Sequence, residues 1–201
     1  MKLIAHRRNT IAKLLATDLN YGVEVDIRSL GQQLIMHHDP LVAGESFDEW
    51  LNFYQHGTLI LNVKEEGLEA RLIEIMAEKE IDDYFFLDQS FPFLVRWANK
   101  SKRRCAVRVS EFESIETALT LSGKVDWIWV DCFTRFPLTH KDAQRLKQAG
   151  FKLCLVSPEL QGRDAESEIP ILVGLLNERN IVAEAVCTKR PDVWEKFIHL
   201  F

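Results

Sequence analysis

Short apolar runs alternate with amphipathic segments from one end of the chain to the other. Leu3-Ile4-Ala5 reads as a strand, and Thr10 to Leu19 then sets Ile11, Leu14, Leu15 and Leu19 on one face of a helix. Between Gly22 and Ile27 the apolar residues Val23, Val25 and Ile27 alternate with Glu24 and Asp26, which is the period of a strand. After an extra extended piece at Leu34-Ile35-Met36, the pattern predicts strands at 59–63, 84–87, 105–109, 127–130, 152–156 and 182–186. It predicts the remaining helices at 47–54, 68–77, 91–98, 115–121, 141–149, 171–177 and 192–199. Alternation of this kind argues for parallel strands joined by helical crossovers, and eight such units is the number that closes a barrel.

The expected fold is therefore a compact (β/α)8 TIM barrel filling residues 1–201 as a single domain, because about 25 residues per unit leaves no room for a second. An open doubly wound sheet is disfavoured, since no Gly-x-Gly-x-x-Gly turn and no Gly-x-x-x-x-Gly-Lys loop follows any strand. Gly150 after Ala149 and Gly22 after Tyr21 read as helix stops.

Composition changes the picture mainly by exclusion. With 47% apolar and 27% charged residues the chain is an ordinary globular one. Its net charge of −5 and pI of about 5.7 argue against nucleic acid as a partner, which would require a basic face. The one basic cluster, Lys100, Lys102, Arg103 and Arg104, falls at a predicted turn. The longest uncharged apolar stretch, Ile169 to Leu176, is far short of the ~20 residues of a membrane span, so no membrane span is expected. Met1 to Ala5 is too short for an export signal. The cysteines Cys105, Cys132, Cys154 and Cys187 form no Cys-x-x-Cys pair and read as reduced, buried thiols of a cytoplasmic protein. Oligomeric state leaves no signal in the sequence.

Function in such a barrel sits at the carboxyl ends of the strands. Glu24 and Asp26, two apart, share a strand face opposite the apolar one and so point inward. Two sheltered anions need counter-charge, which a divalent Mg²⁺ or Ca²⁺ would supply through oxygen ligands. Pairing with Arg7, Arg28 or Lys64 is the alternative, and Asn62 at the third strand end is a candidate further oxygen ligand. His6 beside Arg7 joins a proton-transfer group to a bidentate phosphate binder, and His37-His38-Asp39 brings a second imidazole to the same mouth. Two histidines, an arginine and a cation site are the components needed to break a phosphodiester.

Three stretches, Ile4-Ala5-His6-Arg7, Gly22-Val23-Glu24-Val25-Asp26-Ile27 and Ile35-Met36-His37-His38-Asp39-Pro40, resemble the glycerophosphodiester phosphodiesterase family in the order and spacing of its His-Arg, Glu-x-Asp and His-Asp motifs. Leu61-Asn62-Val63-Lys64 is similar to the family's Glu-Ile-Lys strand, Gln89-Ser90-Phe91 to its Ser-Phe strand end, and Thr188-Lys189-Arg190-Pro191-Asp192 to its closing segment. The resemblance implies a short, divergent member of the phospholipase-C-like phosphodiesterase barrels. It implies His6 and His38 as catalytic acid and base, Arg7 and Lys64 as phosphate ligands, Glu24 and Asp26 as metal ligands, and a small phosphodiester as substrate.

The chain departs from the family pattern in three places. Arg8 replaces a glycine and the following segment is shortened to Asn9-Thr10; Asn62 replaces a metal-binding glutamate; and Val156-Ser157-Pro158-Glu159 stands where an aromatic residue is usual. Asn62 and Arg8 motivate a rival reading, a barrel that binds a phosphate-containing ligand without turnover. A Schiff-base lyase built on Lys64 is disfavoured, because neighbouring carboxylates would keep the amine protonated. The loop from Ser157 to Glu168 is the candidate specificity lid.

Overall fold

The computed structural model describes residues 1–100 and 103–200. The elements are β1 (Lys2–Ala5), α1 (Ile11–Leu15), β2 (Gly22–Leu30), β3 (Gln33–Met36), β4 (Glu45–Ser46), α2 (Phe47–Leu51), β5 (Leu59–Val63), α3 (Glu69–Glu78), β6 (Tyr84–Leu87) and α4 (Phe91–Ala98). They continue with β7 (Ala106–Val109), α5 (Ile115–Leu119), β8 (Trp127–Val130), α6 (His140–Gln148), β9 (Lys152–Val156), α7 (Ala165–Glu178), β10 (Ala185–Thr188) and α8 (Pro191–Trp194).

The parallel strands pair in the order β6-β5-β2-β1-β10-β9-β8-β7, and β3 and β4 extend β2 as an antiparallel hairpin. The two ends of this order meet, since Phe86 and Cys105 form one isolated parallel bridge and the Phe86 N–H donates to the Arg104 carbonyl at 2.9 Å. The sheet is thus a curled α/β sheet of the barrel type whose β6–β7 joint is a single bridge.

Two apolar clusters follow from strand alternation. Val23, Val25, Ile27, Leu59, Leu61 and Val63 pack outward against the helices with Leu72, Trp50 and Trp194. Ile4, Ile60, Phe85, Trp127, Trp129 and Cys187 fill the inside of the curl. All four cysteines are buried, and no disulfide forms among the described residues. No helix among them is long and apolar enough to cross a membrane.

Several boundaries differ from expectation. The first helix is only Ile11–Leu15 and buries Leu14 alone, leaving Leu15 and Leu19 in solvent, because the chain must turn within a few residues to feed β2. Helix α7 begins six residues before Ile171, where the Asp164 side chain accepts the Ser167 N–H at 3.0 Å and supplies the N-cap. The last strand is shifted to Ala185–Thr188, which brings Thr188 into the sheet. The Ser157–Glu168 segment is not an open loop. Pro158–Gln161 is a 3₁₀ turn ended by left-handed Gly162, and the Glu159 carboxylate is pegged by the Thr188 hydroxyl at 2.6 Å and the Lys189 N–H at 2.9 Å. In the basic cluster Arg103 and Arg104 are ion-paired with Asp126 and Asp82, each at 2.9 Å, while Lys102 lies outside the described residues.

Gly150 is left-handed, as a helix stop should be, but Gly22 is not; it is the first residue of β2. A Cβ at position 22 would lie 2.5 Å from the Thr58 carbonyl oxygen and 3.1 Å from the Ile4 side chain. Backbone cannot yield as a flexible side chain does, so Gly22→Ala is expected to destabilise the fold by about 1–3 kcal/mol. A denaturant midpoint equal to that of the unsubstituted chain would contradict this packing.

Candidate active site

In most of the parallel strands the inward stripe turns polar at or just past the carboxyl end. Ile4 is followed two positions on by His6, Ile60 by Asn62 and Lys64, Ala106 by Arg108, Trp129 by Asp131, and Cys187 by Lys189. On β2 the stripe is Glu24 and Asp26 themselves, both fully buried. One cavity of about 250 Å³ at this end of the sheet is lined by His6, Arg7, Glu24, His38, Asn62 and Lys64. Asp26 lies beside it, contacting Lys64 and Arg7. The structure therefore brings together every residue singled out from the sequence as catalytic, phosphate-binding or metal-binding.

The two carboxylates are held by a dense set of donors. Glu24 accepts the Arg7 backbone N–H at 2.7 Å and the Asn62 amide at 2.8 Å. Asp26 accepts the Asn9 amide at 2.7 Å, and its own N–H donates back to the Asn9 side-chain oxygen at 2.9 Å. Two cations complete the pair, Lys64 Nζ at 3.4 Å and Arg7 Nε at 3.6 Å from Asp26. Pairing with Arg7 and Lys64 thus holds, whereas Arg28 points elsewhere: its guanidinium donates twice to the His38 carbonyl, at 2.9 and 3.2 Å. Arg28 is therefore a positioning residue for the histidine loop. His38 Nδ1 lies 2.8 Å from the Asp39 carboxylate, an arrangement that leaves Nε2 as the ring nitrogen available to a ligand.

Burial, followed by the neighbouring Asp26 charge, pushes the Glu24 carboxyl well above the usual carboxylate range. His6 shifts the opposite way. Burial first, then the cations Arg7, Lys189, Lys64 and Arg8, lower its pKa from 6.5 to about 3. Its Nε2 lies 3.7 Å from Glu24.

A hard cation takes oxygen ligands, so orphaned oxygens are the test of whether these residues fit one. Asn62 Oδ1 is buried and accepts no hydrogen bond, and Asp26 Oδ1 is buried with no hydrogen bond but with the Lys64 ammonium 3.4 Å away. With Glu24 they form an all-oxygen donor set that fits Mg²⁺ or Ca²⁺. The third donor is a neutral amide, and no cluster of three or more His, Cys, Asp or Glu occurs among the described residues. The set is consequently one charge poorer than a tricarboxylate.

Sequence reasoning assigned no role to a second group of charges lining the same cavity. Arg108 is clamped between Asp88 and Asp131, the latter at 2.9 Å, and Asp88 also pairs with Lys64 at 3.1 Å. Arg108 and then Lys64 outweigh the effect of burial and hold the Asp88 carboxyl below its usual range. Gln161 donates to Asp131 at 2.7 Å. Arg108, Asp131 and Lys189 are recognisable in the sequence as polar residues at strand ends, but their pairing is not. Asn9 and Arg28 left no signal, because their roles depend on partners brought in by the fold.

Once the site is laid out, comparison with known proteins places the fold. No family model matches the sequence, and no curated protein does. Among solved structures, a glycerophosphodiester phosphodiesterase from Agrobacterium tumefaciens C58 is similar with a TM-score of 0.67 at 14% identity, over 98% of each chain. A glycerophosphoryl diester phosphodiesterase from Parabacteroides distasonis is similar with a TM-score of 0.68 at 10% identity, over 100% of this chain and 87% of that one. A mutant tryptophan synthase α-subunit from Pyrococcus furiosus follows with a TM-score of 0.55 at 13% identity, over 97% of this chain and 90% of that one. These likenesses establish the fold, a parallel α/β fold shared with phosphodiesterase barrels. Fold alone does not select a reaction, and the site must do so.

Because the His6 pKa is depressed in the folded state, the unfolded chain takes up a proton near pH 6.5 that the folded chain refuses until about pH 3. The stabilising contribution of neutral His6 is therefore whole above pH 6.5 and is lost as pH falls from there toward 3. Imidazole NMR should find His6 uncharged at pH 5, and His6→Asn should flatten the acid limb of the stability profile across that window. A His6 midpoint near 6.5 would contradict the burial and charge environment described here.

Proposed function

We propose that the chain is a metal-dependent phosphodiester hydrolase acting on a small diester with a glycerol-like or sugar-like alcohol, with His6 and His38 dividing the proton transfers. The observation that carries this reading is one cavity lined by both histidines, by Arg7 and Lys64, and by the buried oxygens of Glu24 and Asn62. We also read the curled sheet as a complete (β/α)8 barrel closed at the Phe86–Cys105 bridge, which is what sets strand ends from both halves around one mouth.

In this reading Arg7 and Lys64 hold the two non-bridging phosphate oxygens. Neutral His6, kept unprotonated first by burial and then by the surrounding cations, accepts a proton from the water that attacks phosphorus as the bond to the alcohol oxygen breaks. His38, oriented by Asp39 and Arg28, gives a proton through Nε2 to the departing alkoxide. The products are a phosphomonoester and an alcohol. A divalent cation held by Glu24, Asp26 and Asn62 would polarise the phosphoryl group.

Purified protein assayed on glycerophosphodiesters, sugar-phosphate diesters and a chromogenic diester, with and without Mg²⁺ or Ca²⁺, should turn over at least one of them. His6→Ala and His38→Ala should each lower kcat by about 10²- to 10⁴-fold. Full rate in either variant would end the two-histidine mechanism, and absence of turnover on every diester would leave a binding barrel.

Asn62→Glu restores a third carboxylate at the cost of the hydrogen bond that Asn62 donates to Glu24. Calorimetric titration of Mg²⁺ and Ca²⁺ should show tighter binding to this variant than to the unsubstituted chain, since a hard cation prefers a charged oxygen. Equal affinities would place residue 62 outside the metal shell.

A further inference from the structure

The weak joint of the sheet opens a second space. Above the Phe86–Cys105 bridge, β6 and β7 form no ladder, and a slot of about 590 Å³ lies between α4 and the Ser110–Thr117 segment. That size falls within the ~300–1,000 Å³ of small-molecule sites. Its apolar wall comes from Leu87, Ala106 and Val107 of the strands, Phe91 and Leu94 of α4, and Phe112 of the loop. Phe112 is 77% exposed and Phe91 is 47% exposed, although both are large apolar side chains. Phe133, also partly exposed, lies beside Phe112 with ring centroids 5.9 Å apart.

This slot adjoins the polar cavity, since Leu87, Asp88 and Arg108 line both. Charge gives it a direction. Its cation, Arg108, stands at the shared inner end, ion-paired there with Asp88, and Lys64 lies just beyond in the polar cavity, whereas Glu113 lines the slot. Glu113 accepts the Ser110 hydroxyl at 2.7 Å and would repel an anion. A ligand spanning both spaces must therefore place its phosphate inward and an uncharged, apolar portion outward.

We propose that the slot between β6 and β7 receives an apolar chain or ring carried by one arm of the diester, so that the substrate is an amphiphilic phosphodiester. This rests on the phosphodiesterase reading for the phosphate and adds to it the chemistry of the arm. Phe112 and Phe91 are then specificity-determining residues, and their exposure is that of a site awaiting its ligand.

Alkyl phosphate monoesters from methyl to octyl, each kept below its aggregation concentration, provide probes that are not diesters and need no turnover. Calorimetry on the full chain should show affinity rising about threefold to fourfold per methylene, the gain expected for each buried CH₂, until the slot is filled. Phe112→Asp, a change at an exposed loop position, should flatten that series, and Leu94→Ala should shallow it. Methyl and octyl phosphate bound equally by the unsubstituted chain would overturn the apolar subsite while leaving the phosphodiesterase reading in place. A steep series that survives unchanged in Phe112→Asp would also overturn it, since the chain would then lie elsewhere. A steep series abolished by Phe112→Asp in a protein that hydrolyses no diester would support the subsite and discard the catalytic reading.

Discussion

Two carboxylates buried side by side on the inner face of β2 are the constraint around which this end of the molecule is arranged. Glu24 and Asp26 have no access to solvent, and an ionised carboxylate removed from water is costly unless donors and counter-charges replace its hydration. The replacement comes largely from one short segment. The Arg7 N–H and the Asn9 side chain both reach back across the sheet to β2, and the intervening Arg8 donates its N–H to the Glu24 carbonyl at 2.8 Å. The Trp50 indole closes the set by donating to the Arg8 carbonyl at 2.9 Å. The carboxylates thus fix the loop, and the loop fixes the position of Arg7 beside them.

Strand parity supplies one half of the site and broken parity the other. His6, Asn62, Lys64, Arg108, Asp131 and Lys189 all continue the inward stripe of their strands at two-residue steps. Arg7 and Asp88 fall on the opposite parity and by alternation alone would face the helices. Both have left-handed backbones, with φ of 52° and 59°, conformations that non-glycine residues adopt only where the surroundings enforce them. At these two positions the left-handed turn redirects the side chain into the cavity, where Arg7 approaches Asp26 and Asp88 joins Lys64 to Arg108.

That division accounts for what could be read from the residues alone. The strands at 59–63, 84–87, 127–130 and 152–156 and the helix at 91–98 fall where periodicity puts them, because each carries an uninterrupted apolar pattern bounded by polar turns. The inward carboxylates, His6 and Lys64 follow from parity as well. Left-handed backbone at an Arg or Asp has no sequence signature, so the convergence of Asp88 with Arg108 was hidden. The start of α7 was hidden for a different reason: the Asp164 cap precedes a polar Glu166-Ser167-Glu168 turn that lacks the apolar spacing of the helix body. Arg28 looked like a counter-charge for the carboxylates because it shares their strand, yet the antiparallel turn into β3 offers it the His38 carbonyl instead.

Charge balance then links the buried pair to the ligand that the cavity can admit. The cations Arg7, Lys64, Arg108 and Lys189 face the carboxylates Glu24, Asp26, Asp88 and Asp131, so the fully ionised cavity has no surplus positive charge to offer a phosphodiester anion. Burial beside Asp26 relieves that deadlock by raising the affinity of Glu24 for a proton, and the same environment favours a divalent cation that replaces the proton with two positive charges. Either occupant makes the cavity net positive by at least one unit, which matches the single negative charge of a diester. Asn62 fits this balance. A third carboxylate there would bind a cation more strongly but would also raise the negative charge that has to be neutralised before any phosphate could enter, whereas the amide keeps an oxygen facing the pair and donates its N–H to Glu24. On the proposed function, weak cation binding and easy admission of an anion would be two consequences of the same neutral side chain.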